Sequence, residues 1–364
     1  MRIPPVVYLL CLGIRICHAQ YAFVQGASSY SMPTETVDGN SPAFWDGEKL
    51  RVYTSTGSPV AMSGPNLFTL YQDSPPVVEP RDHYPLWIEG VWRDTDGTVY
   101  AWYHNEPGDL CNGKKLTAPR IGALVSRDGG THFQDLGIVL SSGDPLDCDA
   151  QNGFFAGGHG DFSIILDRER RYFYFFFTSY AGGAQRQGIS TARMAYEDRG
   201  NPVGAVRKFH DGAWDEAGVG GAVSPVFPAR VGWESEHADS FWGPAVHWNT
   251  FLNRHVMLLN RACCQTNWPQ EGIYIAYSDD LSNPLSWTAP EKILDANQIG
   301  FAPAYYPQVF GTGAGESDTQ AGEIARFFIK GFSRWEIIFS AAPPVIEENV
   351  DENFLNRTPV TVRR

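Results

Sequence analysis

Three acidic residues stand at the start of apolar, strand-like runs, where a solvated acid would have no need to be. Asp161 opens FSIIL within GHGDFSIILDRERRYFYFFFTSY (158–180), Glu89 lies in LWIEGVW, and Asp239 precedes SFWGPAVHW. Crowded at the edge of a core, such carboxyls take unlike pKa values, because burial and like charges raise some while hydrogen bonds lower others. Unlike protonation is what general acid–base chemistry requires: one carboxyl donates a proton while another activates water or attacks. His159, two residues before Asp161, falls on the same side of an extended chain and is either a proton partner or hydrogen-bonding group there, or a satisfied structural histidine. His247 follows Asp239 at short range. Trp87, Trp242 and Tyr306, near the same strand starts, offer flat faces to a ligand, and Arg261 and Gln308 can hydrogen-bond it.

A set of hairpins must position these residues. Five apolar–turn–apolar units recur. SPAFWDGEKLRVYTST (41–56) turns at Asp46–Gly47, LWIEGVWRDTDGTVYAWYHNE (86–106) at Asp96–Gly97, and the 158–180 unit at DRERR. FWGPAVHWNTFLNRHVMLLNRA (241–262) turns near Asn253, and YYPQVFGTGAGESDTQAGEIARFFIKG (305–331) has its turn stretched into a Gly-rich loop. With 22 Phe, 16 Tyr and 11 Trp beside 37 Gly and 25 Pro, short strands joined by turns are favoured over helices. The intervals leave room for one or two further strands each, the spacing of four-stranded propeller blades, although a two-sheet sandwich also uses many hairpins. The expected fold is all-β, a five-bladed β-propeller over 38–342, with inner strands beginning near Ser41, Leu86, Asp161, Phe241 and Tyr305. Residues just ahead of those strands converge on one funnel, where Asp38 becomes a fourth blade-start acid.

Two outer hairpins, ALVSRDGGTHFQDLG (123–137) and IYIAYSDDLSNPLSWTAP (273–290), place Ser-x-Asp at a strand end and a ring, Phe133 or Trp287, after the turn. The polar pair can bond the turn's own backbone while the ring packs between sheets. SRDGG with Phe133 resembles the Asp-box of sialidase-type propellers, with His132 where that motif usually has Thr. YSDDLSNPLSW is similar to the Ser-x-Asp-Leu-x-x-x-Trp turn of five-bladed glycoside hydrolases such as families 43, 32 and 130. The resemblance is one of blade pattern over most of 38–342 and singles out no one family. It implies a polysaccharide or oligosaccharide substrate, with working acids at inner-strand starts, which Asp161 matches best. The first blade departs from it, since Asn40 and Ser41 stand near the place where family 43 commonly has Asp-Pro.

Glycoside hydrolysis uses two carboxyls of unlike protonation, so Asp161, Glu89 and Asp239 are the expected catalytic residues. His159, His247, Trp87, Trp242, Arg261, Tyr306 and Gln308 are the expected substrate contacts. No Cys/His spacing or ligand run in the chain calls for a metal or other cofactor, while the resemblance admits a calcium on the axis. Two other readings share the scaffold: a carbohydrate-binding propeller without chemistry, and a polysaccharide lyase, in which Tyr305 or His247 would matter more than Asp161.

The opening MRIPPVVYLLCLGIRICHAQ (1–20), charged at Arg2 and apolar through Ile14, reads as a signal peptide cleaved after Ala19 and too short to span a bilayer, so the chain is expected to be secreted or periplasmic. Its loss removes Arg2 and Arg15 and takes the formal net charge from −13 to −15, which speaks against nucleic acid as a partner. Cys111, Cys148, Cys263 and Cys264 remain. Cys111 with Cys148 is the expected bridge, and the adjacent pair is either a vicinal disulfide or two thiols. Residues 21–37 and 343–364 read as tails that close or decorate the domain. The Gly/Pro-rich 211–239 connection, carrying Glu234 and Glu236, reads as a functional loop.

Overall fold

The five hairpins open five mainly antiparallel sheets, and the sheets are the blades of a β-propeller. The structure is a computed structural model that describes residues 21–34, 37–300 and 304–341; the signal peptide expected at 1–20 and the C-terminal tail at 343–364 lie outside the described residues. Inner strands are Ala43–Asp46, Leu86–Arg93, His159–Leu166, Asp239–Asn249 and Pro307–Gly311, each within two residues of its expected start. Among the described residues no helix is long and apolar enough to cross a membrane.

The aromatic run YFYFFF follows from this architecture. A blade's middle strand is covered on both faces, so alternation of side chains does not produce a polar side. Phe173, Phe175 and Phe177 pack towards the second blade with Trp102 and Ile121, whereas Tyr174 and Phe176 pack towards the fourth with Met257 and Leu259. All five rings are buried.

Both Ser-x-Asp turns bond their own backbone. Ser126 Oγ accepts from Gly130 N (2.9 Å), and Asp128 Oδ1 accepts from Thr131 N (3.1 Å) and His132 N (3.0 Å). Phe133 then meets Tyr53 edge-on at 5.9 Å between centroids. In the second turn Ser278 Oγ accepts from Asp280 N (3.1 Å), and Trp287 lies edge-on to Phe176 at 5.4 Å.

The ring is closed by the segment expected as an N-terminal tail. Tyr21–Ser31 is a strand, paired antiparallel to Phe332–Ser340 as the outer edge of the fifth blade. It reads as a tail because only Val24 among its eleven residues is buried. Gln308 completes the closure: its Oε1 accepts from Ser41 N (2.9 Å) and its Nε2 donates to Ser41 O (3.0 Å), tying the fifth inner strand to the first.

Candidate active site

Three inner strands carry an irregularity close to their starts, and this decides which side chains reach the axis. In the second blade Ile88 pairs with Tyr103 and Gly90 with Trp102, leaving Glu89 as the extra residue of a bulge. In the third, Gly160 pairs with Thr178 and Phe162 with Phe177, leaving Asp161 as the extra residue, at a φ of 41°. Bulges re-aim a side chain, and non-glycine residues at positive φ persist only where their surroundings enforce it. In the fourth blade the slip falls at Gly243–Pro244, where no acid stands.

Glu89 and Asp161 therefore meet beneath the funnel, with His104 between them. His104 Nδ1 lies 3.6 Å from Glu89 Oε1, and its Nε2 lies 3.5 Å from Glu106 Oε1. Phe162 N donates to Glu89 Oε2 (2.7 Å). Tyr306 OH donates to Asp161 Oδ1 (3.1 Å), and Tyr180 OH donates to Asp161 Oδ2 in a short bond. Two glycines make the approach feasible: a Cβ on Gly39 would lie 2.6 Å from Glu89 Oε1, and one on Gly160 would lie 2.7 Å from His104 Cε1.

Burial is the main cause that raises the Asp161 carboxyl above its usual range, with His104 and the two phenols working against it. Burial raises Glu89 likewise, opposed by His104 and reinforced by the charge of Asp161. Burial opposes charge on His104, but Glu106, Glu89 and Asp161 outweigh it and hold the ring well above its usual pKa. Asp161 N also donates to Nδ1 (3.2 Å), a bond only the ring without a proton on Nδ1 can accept. The two facts describe the ring's alternatives: neutral with Nε2–H towards Glu106, or charged with Nδ1–H turned to Glu89. The geometry shown is the first; the surrounding acids ease uptake of a second proton, which would exchange the bond from Asp161 N for one to Glu89.

Above this cluster opens a cavity of about 980 Å³, lined by Asp38, Trp87, His104, Glu106, Asp161, Trp242, Trp268, Tyr305, Tyr306 and Lys330 among others. Lys330 Nζ stands 3.6 Å from Asp38 Oδ1. Burial is the main cause that raises the Asp38 carboxyl above its usual range, with Lys330 working against it and Glu106 adding to it. One wall is aromatic: Trp242 packs on Tyr305 (5.0 Å) and Tyr306 (5.5 Å), while Phe155 packs on Tyr180 (4.3 Å). Trp268, Asn267 and Tyr306, like Asp161, line this cavity at positive φ.

Of the residues expected from sequence, Asp161, Trp87, Trp242 and Tyr306 line the cavity and Glu89 lies directly beneath it. The others are elsewhere. Asp239 sits at its strand start, four residues ahead of the bulge, and is held bidentately by Arg261 (Oδ1–Nε 2.9 Å, Oδ2–Nη2 3.0 Å). That pair occupies both partners. The Asp161 bulge breaks the alternation assumed for His159, which packs against Phe177 at 5.0 Å, and burial keeps its pKa well below the usual value. His247, beyond the fourth-blade bulge, is buried against Phe339 of the fifth blade. Gln308 uses both ends of its amide on Ser41, as described. Glu234 accepts from Gln187 Nε2 (2.9 Å), and Trp233 beside it supports Trp268 from below at 4.5 Å, so the 211–239 loop backs the aromatic wall.

Glu106, His104, Lys330 and Trp268 escaped the reading of the sequence. A signal existed for the first two. Folding LWIEGVWRDTDGTVYAWYHNE about Asp96–Gly97 sets Trp87 opposite His104 and Leu86 opposite Asn105, which returns Glu106 to the funnel end of the blade. Trp268 follows Cys263–Cys264, which are disulfide-bonded, as are Cys111 and Cys148.

Glu89, His104 and Asp161 each bring one ligand atom within 4.8 Å of the others. Calcium takes six to eight oxygens. Here two carboxylates share the space with an imidazole, and three of their four oxygens already accept from Phe162 N, Tyr180 OH or Tyr306 OH. The donor set does not fit calcium. The other such group, Asp239 with Cys263 and Cys264, offers no thiolate, because its sulfurs are bonded to each other.

No protein-family model matches the chain, and no curated protein does. Similar solved structures include a thermostable family-43 glycoside hydrolase (12% identity, TM-score 0.49, covering 92% of this chain and 97% of that one). An exo-β-1,3-galactanase from Phanerochaete chrysosporium with β-1,3-galactotriose is 11% identical at TM-score 0.48 and covers 88% of this chain and 64% of that one. An endo-arabinase from Bacteroides thetaiotaomicron is 12% identical at TM-score 0.48, covering 88% and 99%. The fold assignment rests on the chain's own five sheets.

Proposed function

We propose that the chain is a secreted or periplasmic glycoside hydrolase whose funnel cleaves a neutral oligosaccharide or polysaccharide. One observation carries the reading: a buried carboxyl with a raised pKa, Asp161, shares an aromatic-walled cavity with the solvent-reachable Asp38 beside Lys330. Burial raises Asp38 as well, but its exposed side and Lys330 leave it the readier of the two to ionise, and glycosidic cleavage needs that difference. Asp161 holds its proton to higher pH than a solvated acid and donates it to the leaving oxygen. Asp38, facing a lysine, is the carboxylate that activates water. Glu89 and His104 set the charge around Asp161 and are positioning residues. The aromatic wall stacks on sugar C–H faces. Two disulfides suit an oxidising compartment and support the export reading.

The cavity's acids, Asp38, Glu106 and Asp161, face only Lys330 and His104, and no arginine lines it among the described residues. That balance favours a neutral sugar over a uronate. It also weighs against a lyase, as do the two candidate bases: burial raises the Tyr305 hydroxyl above its usual pKa, and His247 is buried against Phe339 away from the cavity. A binding-only reading draws on one observation, that both Asp161 oxygens already accept from tyrosines. The purified protein should be assayed against arabinan, galactan, xylan and β-glucan, with aryl glycosides alongside and product anomers followed by NMR. Hydrolysis abolished by Asp161→Asn and by Asp38→Asn supports the proposal. Saturable sugar binding without turnover favours the binding-only reading, and neither binding nor turnover refutes both.

A further inference from the structure

The main cavity does not end at Glu106. A second hollow of about 370 Å³ adjoins it and shares three lining residues with it: Glu106, Phe154 and Phe155. Phe154 is 45% exposed, and it packs on Trp268 at 5.1 Å. Phe155 behind it packs on Tyr180, whose hydroxyl holds Asp161. An aromatic ledge thus runs without a break from the buried acid, over the saddle between the hollows, to the surface.

The floor of the second hollow is built rigidly. Thr117 N donates to Phe154 O (2.9 Å), Ala156 N donates to Thr117 O (2.7 Å), and Thr117 Oγ1 donates to Pro107 O (2.9 Å). The Cys111–Cys148 disulfide joins the two loops involved, around a small core that includes Leu116, Ala150 and Ala156. A cross-link spanning these loops keeps the hollow open and the ledge in place, so a ligand binding there need not order it.

We infer that this second hollow is a subsite for the neighbouring units of a sugar chain, with Phe154 as the platform the chain crosses. The inference rests on the carbohydrate reading of the main cavity and adds that the ligand is a chain rather than a single sugar. An exposed ring shared by two contiguous hollows suits a ligand with repeated C–H faces, each unit stacking in turn.

Gly108 gives a clean test. It lines the second hollow and not the first, its φ is not positive, and a Cβ built on it meets nothing within 4 Å. Gly108→Trp should fill the subsite without disturbing the funnel. Binding is measured by calorimetry with arabino-, galacto-, xylo- and gluco-oligosaccharides of one to six units, on a background of Asp161→Asn to prevent turnover. Affinity should rise with chain length, and Gly108→Trp should cut the affinity of the longest binder by about tenfold, the worth of one good stacking contact. Phe154→Ala should do the same. An affinity that is flat with length, or a rise that survives both substitutions, overturns the subsite while leaving the funnel reading intact. Binding by no sugar in the panel overturns both.

Discussion

Asp161→Asn tests whether the buried carboxyl works or merely holds the blade. Asparagine is isosteric and tolerates the left-handed region, so the bulge at φ 41° should survive. Burial raises the folded pKa of Asp161 above its unfolded value, so its contribution to stability is fully present below about pH 4 and is lost as pH rises through the folded pKa. Each unit separating the two values costs about 1.4 kcal/mol once the group is charged. The variant escapes that cost but weakens the bonds from Tyr180 and Tyr306, roughly 1 kcal/mol each. The variant should therefore gain on the parent protein as pH rises from 4 to 7, whatever their order at pH 4. Its turnover should fall about 10²- to 10⁴-fold, as loss of a general acid implies. Urea melts at pH 4, 5.5 and 7, with initial rates on the substrate found, give both readouts. A stability difference that is flat or reversed across this range, with turnover near normal, would refute the reasoning and make Asp161 a structural cap.

Asp239→Asn should lower stability by about 1–3 kcal/mol through loss of the charged pair with Arg261, yet leave the turnover of the folded protein unchanged; a collapse of turnover with an unchanged melt would return Asp239 to the active site. His247 is held at about 3, chiefly by burial and further by His255. The unfolded chain therefore binds the extra proton, and stability that is full above pH 6.5 falls by about 3 kcal/mol by pH 4. His247→Phe should remove that part of the acid sensitivity in the same melts, and an unaltered slope would contradict it. Lys330 lowers the pKa of Asp38, so Lys330→Met should move the acid limb of the kcat/KM profile to higher pH; a stationary limb would show that Asp38 is not the base.

Much of the architecture was legible from sequence. Five hairpins, their inner strands and the two self-bonded Ser-x-Asp turns depend on period-2 patterning and turn residues, which act over a few neighbours. That the aromatic run after DRERR is covered on both sides shows only in the packed blades. The candidate site was legible only in part. Asp161 could be singled out because it begins a strand near the axis. That it enters the funnel while His159 does not depends on one unpaired residue, visible only against the register of Tyr172–Ser179. The same device brings in Glu89, and its placement at Gly243–Pro244 in the fourth blade leaves Asp239 to Arg261. Glu106 and His104 reach the cluster from a returning strand, and Lys330 from the turn after Ile329, which pairs with Pro307 at the funnel end of the fifth blade. A bulge is a count of residues between two strands, and a cluster on an axis is a sum over blades, so neither is written in any single segment of the chain.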